Sequence, residues 1–137
     1  MKKLMIASDI HGSAYYCRLL LEAFRREQAD RLLECFEQEK ADRLLLLGDI
    51  LYHGPRNDLP EEYAPKKVMA MLNAVRDRLL CVRGNCDGEV DQMVLEFPIM
   101  ADYALITLGN AEVYATHGHR YNEKTPPPFP AGSVLLY

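Results

Sequence analysis

Four short clusters of metal-binding side chain types punctuate this sequence: Asp9-Ile10-His11-Gly12, Gly48-Asp49, Gly84-Asn85-Cys86-Asp87 and His117-Gly118-His119. Each follows an apolar run, Leu4 to Ala7, Leu44 to Leu47, Leu79 to Val82 and Val113 to Ala115. Carboxylates, imidazoles and a side-chain amide are the oxygen and nitrogen donors that suit a hard or borderline divalent cation. Open α/β sheets assemble their sites in the crevice beyond the carboxyl ends of the strands, so residues far apart in sequence can meet there. On that placement Asp9, Asp49, Asn85 and His117 are expected within about 7 Å of a common point, as a two-metal site requires. Taken singly, each has a plainer reading. Asp9 is a helix-capping type, Asp49 and Asn85 suit turns after glycine, and His117 could be a satisfied core histidine. It is the combination, with His11 two residues after Asp9, that points to metal.

The elements that must carry these clusters follow from periodicity and punctuation. Residues 3 to 8 read as a strand, with Ser13 as N-cap of a helix from Ala14. Residues 42 to 48 are apolar at consecutive positions, as a strand buried on both faces should be. The segment from His53 to Pro65 is rich in Pro, Gly, Asn and Asp, hence a loop over the site. Pro65 opens an amphipathic helix carrying Val68, Met71, Leu72 and Val75. Residues 79 to 83 form a third strand, and a helical turn follows around Val90 to Phe97. Residues 103 to 108 and 111 to 116 pair across Gly109-Asn110. Pro126 to Pro130 can be neither helix nor central strand. The order β-α-β-α-β followed by paired strands predicts an α/β fold, a mixed sheet with helices outside.

Together the order D-x-H, G-D, G-N-x-D, H-G-H resembles the calcineurin-like metallophosphoesterases, and the flanking residues resemble their small bacterial phosphodiesterase branch. Ser8 to Ser13, Tyr52 to Asn57, Tyr63-Ala64-Pro65, and Val82 to Asp87 followed by Glu89-Val90-Asp91-Gln92-Met93 carry that likeness. The resemblance implies an α/β/β/α sandwich with mixed sheets. It implies two divalent ions, with manganese the first choice and iron or zinc the alternatives. Asp9 and His11 would hold one ion, Asn85 and His117 the other, and Asp49 would bridge them. A carboxylate has two oxygens and can hold ions about 3.5 to 4 Å apart, the spacing that clamps a phosphoryl transfer. The implied reaction is phosphodiester hydrolysis by a metal-bridging hydroxide, on a small phosphodiester or phosphomonoester. Asp49 and Asn85 are then catalytic as well as ligating. Cys86 stands where many relatives carry the histidine that protonates the leaving group. A thiol is a poor donor to an alkoxide, so diesters with good leaving groups are expected, or another acid, for which His53 and His119 are the candidates. Arg56 and Arg83 are either phosphate contacts or solvated loop arginines. A second functional class is a non-catalytic interaction scaffold, as the retromer subunit of this fold is.

Two departures from the family pattern stand out. That pattern closes with G-H-x-H, and this sequence ends at Val134-Leu135-Leu136-Tyr137, a run like the strand expected before it. The reading is a fold lacking its C-terminal part, with one imidazole fewer at each metal, weaker metal binding and poorer turnover. The other departure is a repeat. Residues 22 to 33 (EAFRREQADRLL) and 34 to 45 (ECFEQEKADRLL) match at eight of twelve positions. Twelve residues rotate a helix by three turns plus about 120°, so Phe24 and Phe36 cannot share one stripe of a straight helix. The second Ala-Asp-Arg-Leu-Leu must be the strand leading to Gly48-Asp49. The first, residues 29 to 33, becomes extra helix or an irregular connection, and Leu32, Leu33 and Phe36 would form a patch suited to a homo-oligomer contact.

Length and composition set the outer bounds. The 137 residues suit one domain, residues 1 to 137. With 16 basic against 20 acidic side chains and no basic run of five, stable nucleic-acid binding is not expected. A nucleotide substrate stays open, because bound cations would reverse the local potential. No apolar stretch approaches the roughly 18 residues of a membrane span, and Asp9 and His11 interrupt the only signal-like start. No membrane partner is expected, and the protein is expected to be cytoplasmic. Cys17, Cys35, Cys81 and Cys86 form no C-x-x-C pair and read as reduced thiols, all but Cys86 as packing residues.

Overall fold

The computed structural model describes residues 3–33 and 41–137, with the backbone alone at residues 3, 27–33 and 41–42. Its first half alternates strand and helix: β1 (Lys3–Ala7), α1 (Ala14–Leu33), β2 (Ala41–Leu46), α2 (Pro65–Asn73), a 3-10 turn at Arg76–Arg78 and β3 (Leu79–Cys81). The helix α3 (Glu89–Val94) leads to β4 (Ala104–Leu108), β5 (Ala111–Ala115) and β6 (Val134–Leu136). Parallel neighbours need long crossovers, and α1 and α2 supply them. Strand β2 pairs with β1 on one side, Ile6 opposite Leu45, and with β3 on the other, Leu46 opposite Cys81.

The strands do not form the one mixed sheet that their order suggested. They divide into an all-parallel sheet, β1-β2-β3, and a second sheet, β4-β5-β6, in which β4 and β5 are antiparallel while β5 and β6 are parallel. The hairpin turns at Gly109, whose φ of +61° suits glycine. Pattern along the chain identifies strands, but the division between sheets depends on contacts remote in sequence. The result is the layered α/β arrangement that the resemblance implied.

Strand β2 explains the layering. Leu44, Leu45 and Leu46 are each fully buried, and successive side chains of a strand point to opposite faces. Leu44 and Leu46 join a helix-side core with Cys17, Leu21, Phe24, Val68 and Leu72. Leu45 and Leu47 pack instead with Val82 and Ala115, flanked by Ile106 and Leu136 of the second sheet. Each fully buried leucine contributes about 1.5 to 3 kcal/mol, so both faces of this strand drive assembly. The four-leucine run is therefore apolar throughout, with no exposed face to favour alternation.

The repeat has two fates. The first Ala-Asp-Arg-Leu-Leu, residues 29–33, ends α1, and the second, residues 41–45, opens β2. Identical local propensity is thus overridden by tertiary context: the second copy runs into Leu46-Leu47-Gly48, where both faces are buried. The side chains of Leu32 and Leu33, and all of Cys35 and Phe36, lie outside the described residues, and with them the proposed patch.

Helix ends follow local chemistry. The Ser13 hydroxyl accepts from the Tyr16 N–H at 3.3 Å and donates to the carbonyl of Glu61, capping α1 and tying it to the 53–64 loop. The helix expected over 90–97 stops at Val94. Pro98 disfavours helical backbone just before it, and the Gln92 amide instead bonds the carbonyls of Leu95 and Phe97 and the Ile99 N–H. Among the described residues no helix is long and apolar enough to cross a membrane.

Candidate metal centre

The loops after β1 and β2 are joined by backbone hydrogen bonds. The N–H groups of Asp9, His11 and Gly12 donate to the carbonyls of Gly48, Asp49 and Ile50, at 3.2, 2.8 and 2.8 Å. This places the first cluster directly over the second. Asp9, His11 and Asp49 all have positive φ, 57°, 48° and 55°. Such backbone costs a non-glycine residue of order 1 kcal/mol or more and persists only where surrounding bonds enforce it. Strain at three potential ligands, held by those bonds, marks a built site.

The third loop is brought in by close approach and by one buried carboxylate. A methyl group at Gly84 would collide with the carboxylate and backbone nitrogen of Asp49, and one at Gly48 with the backbone of Gly84. Only glycines let the two loops pack at this distance. Asp87, 2% exposed, accepts from the N–H of Asp49 (2.8 Å), of Ile50 (2.9 Å) and of Gly84 (2.7 Å). The sequence reading gave Asp87 no role. The signal was present in the unmet donors of two strand-end loops, which need an acceptor once buried.

Asp49 is the centre of the cluster. Its Oδ1 accepts from the Cys86 N–H at 2.8 Å, and its Oδ2 lies 3.6 Å from both His11 Nε2 and His117 Nε2. Asp9 Oδ1 is 3.4 Å from His11 Nε2, and Asn85 Oδ1 is 3.0 Å from His117 Nε2. The structure therefore brings Asp9, His11, Asp49, Asn85 and His117 together around one carboxylate. Asp9, His11, Asp49 and Asn85 border a cavity of about 290 Å³, which the Gly54–Asn57 turn with Arg56 also lines.

The histidines carry the test of whether a divalent ion suits this place. His11 Nδ1 lies 2.8 Å from the Tyr52 carbonyl and His117 Nδ1 2.7 Å from the Leu47 carbonyl. A carbonyl only accepts, so each Nδ1 carries the proton, and a neutral ring then presents the Nε2 lone pair to oxygens that are also electron-rich. A cation between them resolves that opposition, and carbonyl-anchored imidazoles are the usual outer support of metal-binding histidines. The donor set fits a divalent ion.

The remaining candidates lie around this core. His53 packs edge-on between Tyr52 and Tyr63, with centroids 5.0 and 5.1 Å away, and its Nδ1 is buried without a hydrogen-bond partner. It does not line the cavity. His119 is exposed, its ring 5.3 Å from that of His117. Partial shielding of the ring from water, and then the neighbouring His117, hold its pKa below the ordinary imidazole value. Arg83 donates through Nε to the Asp87 carbonyl at 3.2 Å, which ties it to the loop. The Cys86 thiol reaches the cavity, and its pKa is pushed up to about 11, by burial first and then by Asp49.

The calcineurin-like phosphoesterase profile matches residues 2–133. The chain belongs to that family. Within it, the chain is 46% identical to the phosphodiesterase YfcE of Escherichia coli K12 over 137 residues, all of this chain and 68% of that protein, and equally to YfcE of E. coli O157:H7. The solved structure of YfcE, described as a phosphoesterase from E. coli, superposes with a TM-score of 0.83 at 45% identity, over 96% of this chain and 66% of that one. The chain thus spans about two thirds of the length of these relatives, and it belongs to the YfcE-type branch of the metallophosphoesterases. Membership in this enzyme family implies a divalent metal cofactor. Among the described residues two groups, Asp9 with Asp49 and His117, and His11 with Asp49 and Cys86, have ligand atoms within 4.8 Å of one another.

Proposed function

We propose that the protein hydrolyses small phosphodiesters with the help of two divalent ions, manganese being the preferred metal. Asp9, His11 and Asp49 would hold one ion, and Asp49, Asn85 and His117 the other. The observation that carries this reading is the position of Asp49 Oδ2, 3.6 Å from the Nε2 atoms of both histidines. A shared carboxylate between two imidazole-bearing sites is what a two-metal clamp needs.

When bound, the ions supply Lewis-acid neutralisation of the phosphoryl oxygens and make water a competent nucleophile near neutral pH. The chain's own residues do the positioning. The carbonyls of Tyr52 and Leu47 hold both imidazoles in one tautomer, and the Cys86 N–H fixes the rotation of the Asp49 carboxylate. Asn85 contributes a neutral oxygen, which keeps the site from becoming too anionic for a phosphate ester. The Gly54–Asn57 turn lines the cavity, and Arg56 on it would meet the phosphate oxygens of a bound substrate. Of the two histidines considered as proton donor to the leaving oxygen, His119 is preferred because its exposed ring stands beside His117, while His53 is packed among tyrosines. Preference for diesters is supported by the name of the E. coli relative, phosphodiesterase.

The test is turnover of a chromogenic phosphodiester and of the matching monoester, with manganese, zinc or magnesium added to metal-stripped protein. Manganese-dependent turnover favouring the diester is expected. Hydrolysis that ignores chelation, or only of the monoester, would overturn the proposal.

A further inference from the structure

Cys86 is placed to do more than fill the position of a proton donor. Its Sγ lies within 4.8 Å of a ring nitrogen of His11 and of an Asp49 carboxylate oxygen, and it borders the same cavity. The Asn85 amide donates to this sulfur at 3.3 Å, so a donor already supports Sγ as an electron-rich atom. At Gly54 a Cβ would stand 3.3 Å from Sγ, so the glycine keeps that side of the sulfur uncrowded.

Resting on the two-metal reading above, we propose that His11, Asp49 and Cys86 form an alternative site that captures a thiophilic divalent ion, zinc or cadmium, and switches the enzyme off. The chemistry separates the metals. Manganese prefers carboxylate, carbonyl and water oxygens, whereas thiolate selects soft or borderline ions. With manganese the thiol stays outside the coordination sphere, Asp9 completes the set, and a position is left for water. With zinc or cadmium, Sγ gives its proton to solvent and its electron pair to the ion, with no change of oxidation state. Zinc ligands stand about 2.0 to 2.3 Å from the ion, so the widest pair must close by roughly 1 Å, a movement that rotation about the Cys86 side chain provides. Joined to Asp9, His11 and Asp49, which line the same cavity, Sγ is a fourth protein ligand, and a tetrahedral ion then keeps no open position for the water that catalysis needs.

The experiment uses the purified chain, its Cys86→Ser variant and cadmium, read by sulfur-to-cadmium absorption in the ultraviolet and by equilibrium dialysis. Cadmium should generate the charge-transfer band in the parent chain and not in Cys86→Ser. The substitution should weaken cadmium binding about 10 to 100-fold while manganese affinity holds. A second variant, Cys86→Ala, should behave as the serine does. Cadmium bound without the band, or a band that survives in both variants and so comes from another thiol, overturns the proposal. If cadmium fails but manganese still binds, only this inference falls. If neither metal binds, the two-metal reading falls with it.

Discussion

Asp87 grips Asp49 from behind: its carboxylate accepts the Asp49 N–H at 2.8 Å, and through the N–H groups of Ile50 and Gly84 it joins the loop after β2 to the loop after β3. The candidate bridging ligand therefore owes its place to a second, buried aspartate that faces away from the cavity. Asp87→Asn keeps the shape but turns one acceptor oxygen into a donor facing a backbone N–H. Buried charge-assisted bonds are worth about 1.5 to 3 kcal/mol each, so a loss of about 3 kcal/mol in folding stability is expected, with weaker manganese binding. Urea unfolding and metal titration of this variant check both. Unchanged stability would show that the clamp is dispensable.

The contact between Gly84 and Asp49 predicts a different outcome. Gly84→Ala places a methyl group against the Asp49 carboxylate and backbone, so the loops must separate. A misplacement of about 1 Å at a catalytic group costs about 100-fold. Diester turnover should fall by that order while the far-ultraviolet circular dichroism is retained. Turnover within a few fold of the parent would mean that the two loops need not touch.

Cys17 is fully buried on the core-facing side of α1, and burial pushes its pKa from 9.0 up to about 11. Between those values the unfolded chain has released the thiol proton that the folded chain still holds. Folding stability from this group is therefore complete below pH 9 and lost as pH rises towards 11. Alkylation at pH 8, followed peptide by peptide, should modify Cys86 first and Cys17 and Cys81 only as fast as the protein unfolds. Rapid native-state modification of Cys17 would contradict the packing.

The repeat gives a fourth test. Deleting residues 22–33 joins Leu21 to Glu34 and brings Phe36 into the sequence position of Phe24, a core residue 2% exposed. The surviving Ala-Asp-Arg-Leu-Leu still runs into Leu46 and Gly48. Cooperative thermal unfolding and manganese binding are expected to persist in the shortened chain. Loss of a cooperative transition would show that both copies are needed.

Much of the site was legible because its residues sit immediately after strands whose apolar runs announce themselves. Leu44 to Leu47 could only be a strand buried on two faces, and Asp49 follows it. Ser13, Pro65 and Gly109-Asn110 marked a cap, a helix start and a hairpin through local backbone chemistry alone. What escaped depends on remote partners. Nothing within Ala-Asp-Arg-Leu-Leu distinguishes its helical copy from its strand copy; only the following residues do. The division into two sheets rests on Leu45 and Leu47 meeting Ala115 and Leu136, contacts that no window of sequence contains. Asp87 looked like one more loop carboxylate until the buried N–H groups around it were counted. His53 read as an open loop residue, and its burial against Tyr52 and Tyr63 follows from how that loop folds back on Gly12 and Ser13.

The central claim is that Asp49, shared by two imidazole-bearing sites, makes phosphodiester hydrolysis depend on divalent metal. The most direct measurement is one manganese titration of metal-stripped protein in which bound ions and diester turnover are read together, for the parent and for Asp49→Asn. In the parent, turnover should be absent without metal and rise as two ions bind. In Asp49→Asn, both the stoichiometry and the turnover should collapse, the latter by about 1,000-fold or more, the scale of losing a group that stabilises the transition state directly. Turnover that is independent of manganese, or an Asp49→Asn variant that binds two ions and hydrolyses the diester like the parent, would contradict the account.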